Sequence, residues 1–372
     1  MALKIGLVGL PNVGKSTLFN ALTKSNIAAQ NFPFCTIDPN IAITAIPDAR
    51  LDELAKIFGS QKTIPCYVNF VDIAGLVKGA SSGEGLGNQF LGHIMEVDMI
   101  IHVVRCFEDN NILHVSNKVD PINDFEVICA ELILKDLESL EKRELKLGGL
   151  LKKASDAFTK KQLEAEVVFN KELKSALEKE DLSTVRGIFA RAKDQSVPLT
   201  PMLSSKNFLI AANFAEEEMQ NKGFEASIFY KQLVEKFGKE KIIPICAKIE
   251  EDLSKMSDEE QKEMRKELEL DDSGFNKLII QAYSDLGLIT YFTCGPKEAH
   301  AWSIKAGTKA PAAAGEIHSD LEKGFICVDV YNYTDIKALG SEQAVKNAGK
   351  LKSEGKEYIM KDGDIIHVKF NV

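Results

Sequence analysis

Short apolar runs separated by polar or amphipathic segments recur through much of the chain. Five of these runs have the length of a strand that is buried on both faces: residues 3–8, 67–71, 99–104, 208–212 and 241–245. Segments with helical spacing lie between them, and the first is residues 18–22, just after the first run. This alternation predicts an α/β fold with a mixed, mostly parallel sheet.

Residues 128 to about 191 follow another pattern, because they are rich in Glu, Lys and Leu and poor in proline. Apolar residues recur there every three or four positions in two runs: Ile133, Leu137, Leu140, Leu147 and Leu151, then Leu163, Val167, Leu173 and Leu177. The pair 148–149 (Gly-Gly) weakens the first run, and a turn fits between 154 and 160. We predict two antiparallel helices that form a coiled-coil arm, and its charges are most simply a solvated face.

The last part of the chain returns to strand-like runs after a predicted helix over 274–286. The runs cover 288–293, 301–304, 325–330, 358–360 and 365–370. We predict that 361–364 is the hairpin turn between the last two runs and that a short helix opens at 311–315. Several strands around one helix predict a small β-grasp domain.

The composition describes a globular protein that is long enough for two or three domains. The 372 residues are 45% hydrophobic and 27% charged, and the net charge of -9 argues against a protein built mainly to bind nucleic acid, although a local basic patch is compatible with it. Seven cysteines without a C-x-x-C pair indicate reduced thiols. Without a signal-peptide pattern or a membrane-length apolar stretch, a cytoplasmic protein with no membrane contact is expected.

The segment 9–17 reads GLPNVGKST and fits the phosphate-binding pattern G-x-x-x-x-G-K-[ST] at every position. A predicted strand precedes it and a predicted helix follows, so that loop N–H groups and the helix N-terminus can hold a β-phosphate. In that geometry Lys15 reaches the β- and γ-phosphates and the Ser16 hydroxyl is a Mg²⁺ ligand. The other loop residues expected to bind the nucleotide are Asn12, Val13, Gly14 and Thr17.

Two later segments have the positions of loops that sense a γ-phosphate. Thr36 lies in a proline-containing loop after the first helix, where a second Mg²⁺ ligand is expected. Asp72 ends a predicted strand and begins a D-x-x-G motif. Asp72 would hold Mg²⁺ through water, and the Gly75 N–H would meet the γ-phosphate. The glycine-rich run 78–87 that follows predicts a mobile switch.

Leu76 stands directly after D-x-x-G, where many GTPases have a glutamine that orients the attacking water. Leucine neither donates nor accepts a hydrogen bond, so another group must position the water. His114, on a polar loop after the run 99–104, is a candidate for this catalytic role. An ordinary solvated histidine is the alternative.

Two segments compete for the base-reading role. Residues 117–120 match N-K-x-D, but only about ten residues separate them from the preceding strand, too few for the crossover that a parallel strand requires. We therefore place the base site at the N-x-x-E segment 213–216, directly after the run 208–212. Asn213 begins it, Phe214 stands where a lysine stem would cover the base, and Glu216 carries the carboxylate on a longer arm. Cys246 and Ala247 would close the base side, and guanine specificity is expected to be lost.

Together these segments resemble the YchF/Obg-like ATPase family of translation-factor-class P-loop proteins over essentially the whole chain. The resemblance rests on GLPNVGKSTLFNALT from Gly9, NFPFCTIDPN from Asn31, DIAGLVKGAS from Asp72, GEGLGNQFL from Gly83, HVVRCFEDNNILHVS from His102, TYFTCGPKEAHAW from Thr290, APAAAGEIHSD from Ala310 and DGDIIHVKFNV from Asp362.

The resemblance implies three domains. They are a P-loop NTPase core of the G-domain type over 1–127 and 206–285, a helical coiled-coil insertion over 128–205, and a β-grasp TGS domain over 286–372. It also implies slow, Mg²⁺-dependent hydrolysis of ATP in preference to GTP. The expected partner is the ribosome, as the large subunit or the 70S particle, on which a monomeric switch would regulate translation or the stress response. Any RNA contact would come through the TGS domain or the arm.

Individual residues also match the family. Asn213 and Glu216 match the pair of residues that the family has on the base side. Leu76 matches the hydrophobic residue that replaces the glutamine in the family, and His114 matches a residue that positions water. Asn12 matches a loop asparagine of potassium-dependent relatives, so K⁺ dependence is a further expectation. Phe214 departs from the Val or Met that is usual there, and 205–207 lacks the usual Lys-Pro, which leaves the strength of the ATP preference open.

We therefore predict an ATP-hydrolysing switch that associates with the ribosome. Two alternatives remain open, a GTPase of the Obg type and a nucleotide-gated RNA or protein adaptor without useful turnover. Lys142, Arg143, Lys152 and Lys153 on the arm are candidates for RNA contact, with a solvated face as the simpler interpretation.

Overall fold

The computed structural model describes residues 3–24, 40–73, 92–109, 118–270 and 273–371. Four residues with predicted roles, Thr36, Gly75, Leu76 and His114, lie outside these ranges, as does the glycine-rich run 78–87. The expectations attached to them therefore stay predictions.

Six strands form the first sheet, in the order β2-β4-β1-β5-β6-β7. Their bounds are β1 Leu3–Val8, β2 Ile41–Ala45, β4 Tyr67–Asp72, β5 Met99–Arg105, β6 Asn207–Asn213 and β7 Ile242–Ile245. Neighbouring strands pair in parallel, except that β2 runs antiparallel to β4. This order confirms the predicted mixed, mostly parallel α/β sheet.

Alternate residues of the central strands enter two different hydrophobic clusters, one on each face of the sheet. On β6, Leu209 and Ala211 belong to one cluster, whereas Ile210 and Ala212 belong to the other. Every residue of β5 is buried. Strands covered on both faces are apolar throughout, which is why the sequence showed continuous runs there instead of alternation.

The helices have these bounds: α1 Lys15–Lys24, α2 Ala49–Phe58, α3 Pro121–Lys153, α4 Ala157–Leu177, α5 Leu182–Asp194, α6 Glu216–Met219, α7 Ile228–Phe237, α8 Ala247–Leu253, α9 Asp258–Glu267, α10 Gly274–Asp285, α11 Ala310–Ile317, α12 Ser319–Lys323, α13 Tyr333–Leu339 and α14 Glu342–Asn347. Within the described parts of the chain, no helix is both long enough and apolar enough to cross a membrane.

The helical arm contains three helices, so the prediction of two is wrong. The turn after α3 falls inside the predicted interval, but α3 begins at Pro121 and passes unbroken through the two glycines. The third helix, α5, starts after a turn that contains neither glycine nor proline, and the Asp181 carboxylate caps it by accepting from the Thr184 N–H at 3.0 Å. Its residues Val185 and Ile188 pack in one cluster with α4. The turn residues therefore gave a weak signal of this boundary, and Asp181, a residue type favoured at helix N-caps, is the one mark of it in the sequence.

A second sheet of six strands follows, in the order β11-β10-β12-β8-β9-β3. The bounds are β3 Lys62–Ile64, β8 Leu288–Cys294, β9 Glu298–Lys305, β10 Phe325–Asn332, β11 Lys352–Glu354 and β12 Asp364–Phe370. Helix α11 packs on one face, where Ala313 and Ala314 share a buried cluster with Tyr291 and Val328.

The predicted hairpin between 358–360 and 365–370 does not form. Strand β12 has β10 on one side and β8 on the other, so both of its edges are taken. Residues 358–360 contribute only the single bridge from Ile359 to Lys309. The Asp364 carboxylate closes the turn instead, because it accepts from the Lys361 N–H and from the Tyr358 hydroxyl, each at 2.9 Å.

Strand β3 lies in the second sheet although its residues fall in the range 1–127. It pairs in parallel with β9, with Lys62 opposite Glu298. The turn before it is also held there, since the Ser60 hydroxyl donates to the Gly295 carbonyl at 2.8 Å. The assignment of 1–127 entirely to the first domain is therefore wrong at this point. A three-residue strand that pairs across more than two hundred positions leaves no periodicity to detect.

Candidate nucleotide-binding site

Five parallel strands of the first sheet end at one edge, and every predicted site residue in the described ranges lies at or after one of these ends. The phosphate-binding segment follows β1, Asp72 ends β4, the segment 213–216 begins at the last residue of β6, and Cys246 follows β7. Crevices at the carboxyl ends of parallel strands are where open α/β sheets bind ligands.

The loop after β1 has the conformation that a phosphate-binding loop requires. Gly14 adopts a φ of +97°, and Asn12 lies in the left-handed region with a φ of +64°. Lys15 is the first residue of α1 and is buried, and its ammonium donates to the Asp72 carboxylate. The charge that would meet phosphates is therefore paired with a carboxylate in this structure. Ser16 is exposed in the first turn of the helix.

Asn213 joins the phosphate-binding loop to the loop after β7. Its side chain is buried; Nδ2 donates to the Val13 carbonyl at 2.9 Å, and Oδ1 accepts from the Ala247 N–H at 2.9 Å. The approach is close, since a Cβ added at Gly14 would lie 2.3 Å from Asn213 Nδ2. Glycine is therefore required at position 14 for space as well as for its φ.

A cavity of about 550 Å³ opens beside these loops. Its lining includes the predicted residues Asn12, Gly14, Thr17, Asn213, Phe214, Glu216, Cys246 and Ala247. The volume lies in the range of small-molecule sites. The structure thus brings together residues from three separate segments that the sequence assigned to one site.

Phe214 does not occupy the position expected for a residue that covers a base. Its side chain is 1% exposed and packs in a buried cluster with Phe224 and Tyr230, at ring-centroid distances of 5.8 and 6.4 Å. The ring therefore supports the pocket wall from behind. Its backbone fixes the loop, because the Phe214 N–H donates to the Ile245 carbonyl at 2.8 Å.

Glu216 and Lys248 both line the cavity and form a pair with each other. Lys248 Nζ lies 3.2 Å from Glu216 Oε2, and this hydrogen bond raises the pKa of Lys248. Cys246 between the two loops is buried, and burial raises the pKa of its thiol. The thiol is therefore protonated near neutral pH and serves as an uncharged packing group.

The opposite wall comes from the segment after β5, which the sequence reasoning did not assign to the base site. Phe107, Glu108 and Asp109 line the cavity. The buried Arg105 supports this segment: its guanidinium lies 4.7 Å from the Phe107 ring centroid, Nε donates to the Phe107 carbonyl at 3.0 Å and Nη2 to the Asp109 carbonyl at 3.2 Å. The clue was the arginine that ends a strand whose other residues, apart from His102, are apolar.

The oxygen donors present suit Mg²⁺. Among the described residues, no group of three or more His, Cys, Asp or Glu side chains is placed to hold a metal. Mg²⁺ in phosphate sites needs only one or two protein oxygens besides the phosphates. Ser16, which follows Lys15 in the sequence, and Asp72, whose carboxylate accepts from the Lys15 ammonium, carry oxygen donors of this kind.

The rival base motif has a structural role in the part of it that is described. Asp120 is the N-cap of α3, where its carboxylate accepts from the Asn123 N–H at 3.1 Å. Its position directly before the long helix agrees with the rejection of 117–120 as a strand-end motif.

Comparisons with known proteins cover the whole chain. Residues 4–136 match the family MMR_HSR1, described as 50S ribosome-binding GTPase, and residues 288–371 match YchF-GTPase_C, described as a protein of unknown function. The chain is 46% identical over its full length to the "Ribosome-binding ATPase YchF" proteins of Bacillus subtilis and of Escherichia coli O157:H7, and it covers 100% of each. Its fold is similar to that of the Schizosaccharomyces pombe YchF GTPase, with a TM-score of 0.82 and 36% identity over 99% of this chain and 97% of that one.

Proposed function

Because this chain belongs to the YchF family, we propose that it is a Mg²⁺-dependent ATPase that associates with the ribosome and acts there as a slow switch. The observation that carries the proposal is the double hydrogen bond of Asn213 to Val13 and Ala247. It supports 213–216, with its glutamate, as the base-reading segment.

The proposed chemistry is charge stabilisation and positioning, since phosphoryl transfer asks for little covalent chemistry from the protein. Lys15 would exchange the Asp72 carboxylate for the β- and γ-phosphates, which frees that carboxylate to hold Mg²⁺ together with Ser16 and Thr36. Mg²⁺ would neutralise charge on the phosphate oxygens. With Leu76 in place of a glutamine, the position of the attacking water would depend on His114, and intrinsic turnover would be slow.

The base side supports ATP over GTP. Guanine readers use a short carboxylate that accepts from two guanine N–H groups, and here the longer Glu216 is already bonded to Lys248. The names of similar proteins differ on this point, since the bacterial relatives are called ATPases and the yeast structure a GTPase. An Obg-type GTPase is therefore the second candidate.

Equilibrium titration of the nucleotide-free protein with fluorescent ATP and GTP analogues, with and without Mg²⁺, tests the proposal. We expect ATP to bind on the order of tenfold more tightly, which is about 1.4 kcal/mol. Glu216→Asp should lower the ratio of ATP affinity to GTP affinity, because the shorter side chain no longer reaches Lys248 and its carboxylate fits guanine better. Glu235→Asp, at an exposed position of α7, is the matched control, and tighter GTP than ATP binding by the unmodified chain would contradict the proposal.

Two further expectations fit the same experiments. Replacing KCl by NaCl tests whether the protein depends on K⁺, which is suggested by Asn12 at the cavity.

Co-sedimentation with salt-washed ribosomes, in the presence of a non-hydrolysable ATP analogue or of ADP, tests the association with the ribosome. Equal binding to ribosomes with both nucleotides would exclude a nucleotide switch.

A further inference from the structure

A second cavity lies between α8, α9 and α10, beside the last turns of α1. Its volume is about 240 Å³, less than half that of the nucleotide-side cavity of about 550 Å³. Sites for drug-sized ligands occupy roughly 300–1,000 Å³, so this cavity suits a smaller solute and not a second nucleotide. The two cavities share no lining residue.

A buried carboxylate lines this second cavity. Glu250 of α8 is 7% exposed; its Oε1 accepts from the Gly274 N–H at 2.7 Å and its Oε2 from the Ser273 hydroxyl at 3.0 Å. Both donors lie at the N-terminus of α10, and the approach is close, because a Cβ added at Gly274 would lie 3.1 Å from Glu250 Oε1. The carboxylate is therefore held in place, and its oxygens keep lone pairs for a further donor.

Arg265 of α9 lines the same cavity but does not contact Glu250. Its guanidinium is half-buried and makes no hydrogen bond or direct ion pair with any described residue. It acts on Glu250 only through space: burial raises the pKa of Glu250, and the charge of Arg265 works in the opposite direction. The side-chain amide of Asn276 on α10 also lines the cavity without a hydrogen-bond partner in the described part of the chain. The cavity thus separates a cation and an anion that would otherwise pair.

An apolar surface completes the lining. It consists of four buried side chains, Leu22, Leu253, Phe275 and Ile279. A simple anion in this cavity would lie near the Glu250 carboxylate, and a simple cation would lie near the Arg265 guanidinium, so each would meet a like charge. A solute that carries both charges and a short apolar group complements all three parts of the lining.

We propose that this cavity binds a small zwitterion of the α-amino acid class, with its carboxylate on Arg265 and Asn276 and its ammonium on Glu250. Guanidinium–carboxylate and ammonium–carboxylate contacts are charge-assisted hydrogen bonds, the strong kind in proteins. The ligand would give each of the two separated charges a partner, and an apolar side chain of the ligand would lie against the four buried residues. The inference does not rest on the proposed function, because it uses no residue of the nucleotide-binding site.

Isothermal titration calorimetry on the full chain tests the class of ligand. The probes are L-alanine and L-valine, together with 3-methylbutanoate and isobutylamine, which are L-valine without its ammonium and without its carboxylate. We expect L-valine to bind, and each single-charge analogue to bind on the order of tenfold more weakly or not at all, because it leaves one charge of the cavity unpaired. Failure of both amino acids to bind at millimolar concentration, or equal binding of the analogues, overturns the proposal.

Arg265→Gln tests the location. It removes the group that would hold the ligand carboxylate, so L-valine affinity should fall on the order of tenfold or more. Arg186→Gln removes the same charge at an exposed position of α5 and is the matched control. Glu250→Gln should weaken binding as much, with Glu263→Gln on the exposed face of α9 as its control and urea denaturation as the check on folding. Unchanged affinity in Arg265→Gln overturns the site.

A competition experiment separates this site from the nucleotide-binding site. L-valine should still bind when a non-hydrolysable ATP analogue saturates the protein, because the two cavities share no residue. Mutual exclusion of the two ligands would place L-valine in the nucleotide-side cavity and overturn the inference. A chain that binds L-valine through Arg265 but binds no ATP removes the proposed function and leaves the second site standing.

Discussion

Asn213 shows how one side chain can assemble a site from separate segments. It is buried, and its amide satisfies a carbonyl of the phosphate-binding loop and an N–H of the loop after β7. No charged group takes part in these two bonds, so the link persists at any pH where the protein is folded. The spacing between the loops is therefore set before a nucleotide arrives.

Asn213→Ala should weaken nucleotide binding on the order of tenfold and lower the free energy of unfolding by about 1–3 kcal/mol. The reason is that the Val13 carbonyl and the Ala247 N–H lose their buried partner. Fluorescent-nucleotide titration and urea denaturation measure the two effects. Asn207→Ala, at the exposed start of the same strand, is the control, and equal losses in both variants would contradict the assigned role.

For single residues, the sequence predicted the site wherever the backbone conformation requires a particular type of residue. The phosphate-binding segment and Asn213 follow strand ends, and such positions can be read from a motif and its flanking run. The direction of the Phe214 ring could not be read, because it depends on Phe224 and Tyr230, which reach it only through tertiary packing. Arg105 was missed because its partners are backbone carbonyls, which leave no trace in the sequence.

At the scale of elements, a layer of aromatic rings fastens the arm to the sheet. His102 of β5 packs against Phe125 of α3 with ring centroids 4.4 Å apart, and Phe208 of β6 and Phe237 of α7 complete the layer. His102 is buried, and burial lowers its pKa to about 3. The layer thus contains one neutral imidazole among apolar rings.

His102 should make stability decrease in acid. In the unfolded chain this histidine binds a proton below the ordinary pKa of about 6.5, whereas in the folded chain it does so only near pH 3. The unfolded state therefore binds more protons between pH 6.5 and pH 3. The contribution of His102 to the free energy of unfolding is full above pH 6.5 and is lost as the pH falls from 6.5 towards 3. The expected slope is up to about 1.4 kcal/mol per pH unit. Urea denaturation at pH 7 and pH 5 should show a smaller loss for His102→Leu, and the exposed His367→Leu should behave like the unmodified chain.

The elements themselves were predictable in proportion to their length and to the chemistry of their ends. Strands buried on both faces appear as continuous apolar runs, the long α3 carries helical periodicity, and both were expected. The boundary between α4 and α5 was not, because the turn through Glu180, with a φ of +56°, contains neither glycine nor proline and is marked only by the N-cap residue Asp181.

At the scale of the molecule, α2 and β3 hold the two sheets together. Arg50 of α2 donates to Asp48 through Nε at 2.9 Å and Nη2 at 2.7 Å, while Nη1 lies 2.6 Å from Asp362 in the turn before β12. Its guanidinium also lies over the Phe292 ring, 5.2 Å from the centroid. The same helix presents Glu53 to Lys337 at 3.0 Å. This segment lies between β2 and β4 along the chain, so the C-terminal sheet is attached next to the strand that ends in Asp72.

Arg50→Lys should loosen this attachment although the charge is kept, because an ammonium cannot bridge two carboxylates and cover a ring as a planar guanidinium does. We expect faster hydrogen exchange in 288–305 and 361–364 and a loss of about 1–2 kcal/mol in their protection. Lys56→Arg on the exposed face of the same helix is the control. Unchanged exchange in Arg50→Lys would show that β3 and the Glu53–Lys337 pair carry the attachment without Arg50.

The pairing of β3 with β9 also has a consequence for how the protein is made. A ribosome synthesises residues 62–64 of β3 long before residues 298–300 of β9. Strand β3, the outer strand of the second sheet, therefore has no partner until the rest of the chain has been made. The second sheet, most of which is synthesised last, is then completed by β3, which is synthesised early. A fragment that begins at 286 would expose the bare backbone groups of β9, an edge that invites neighbouring chains to pair in the place of β3.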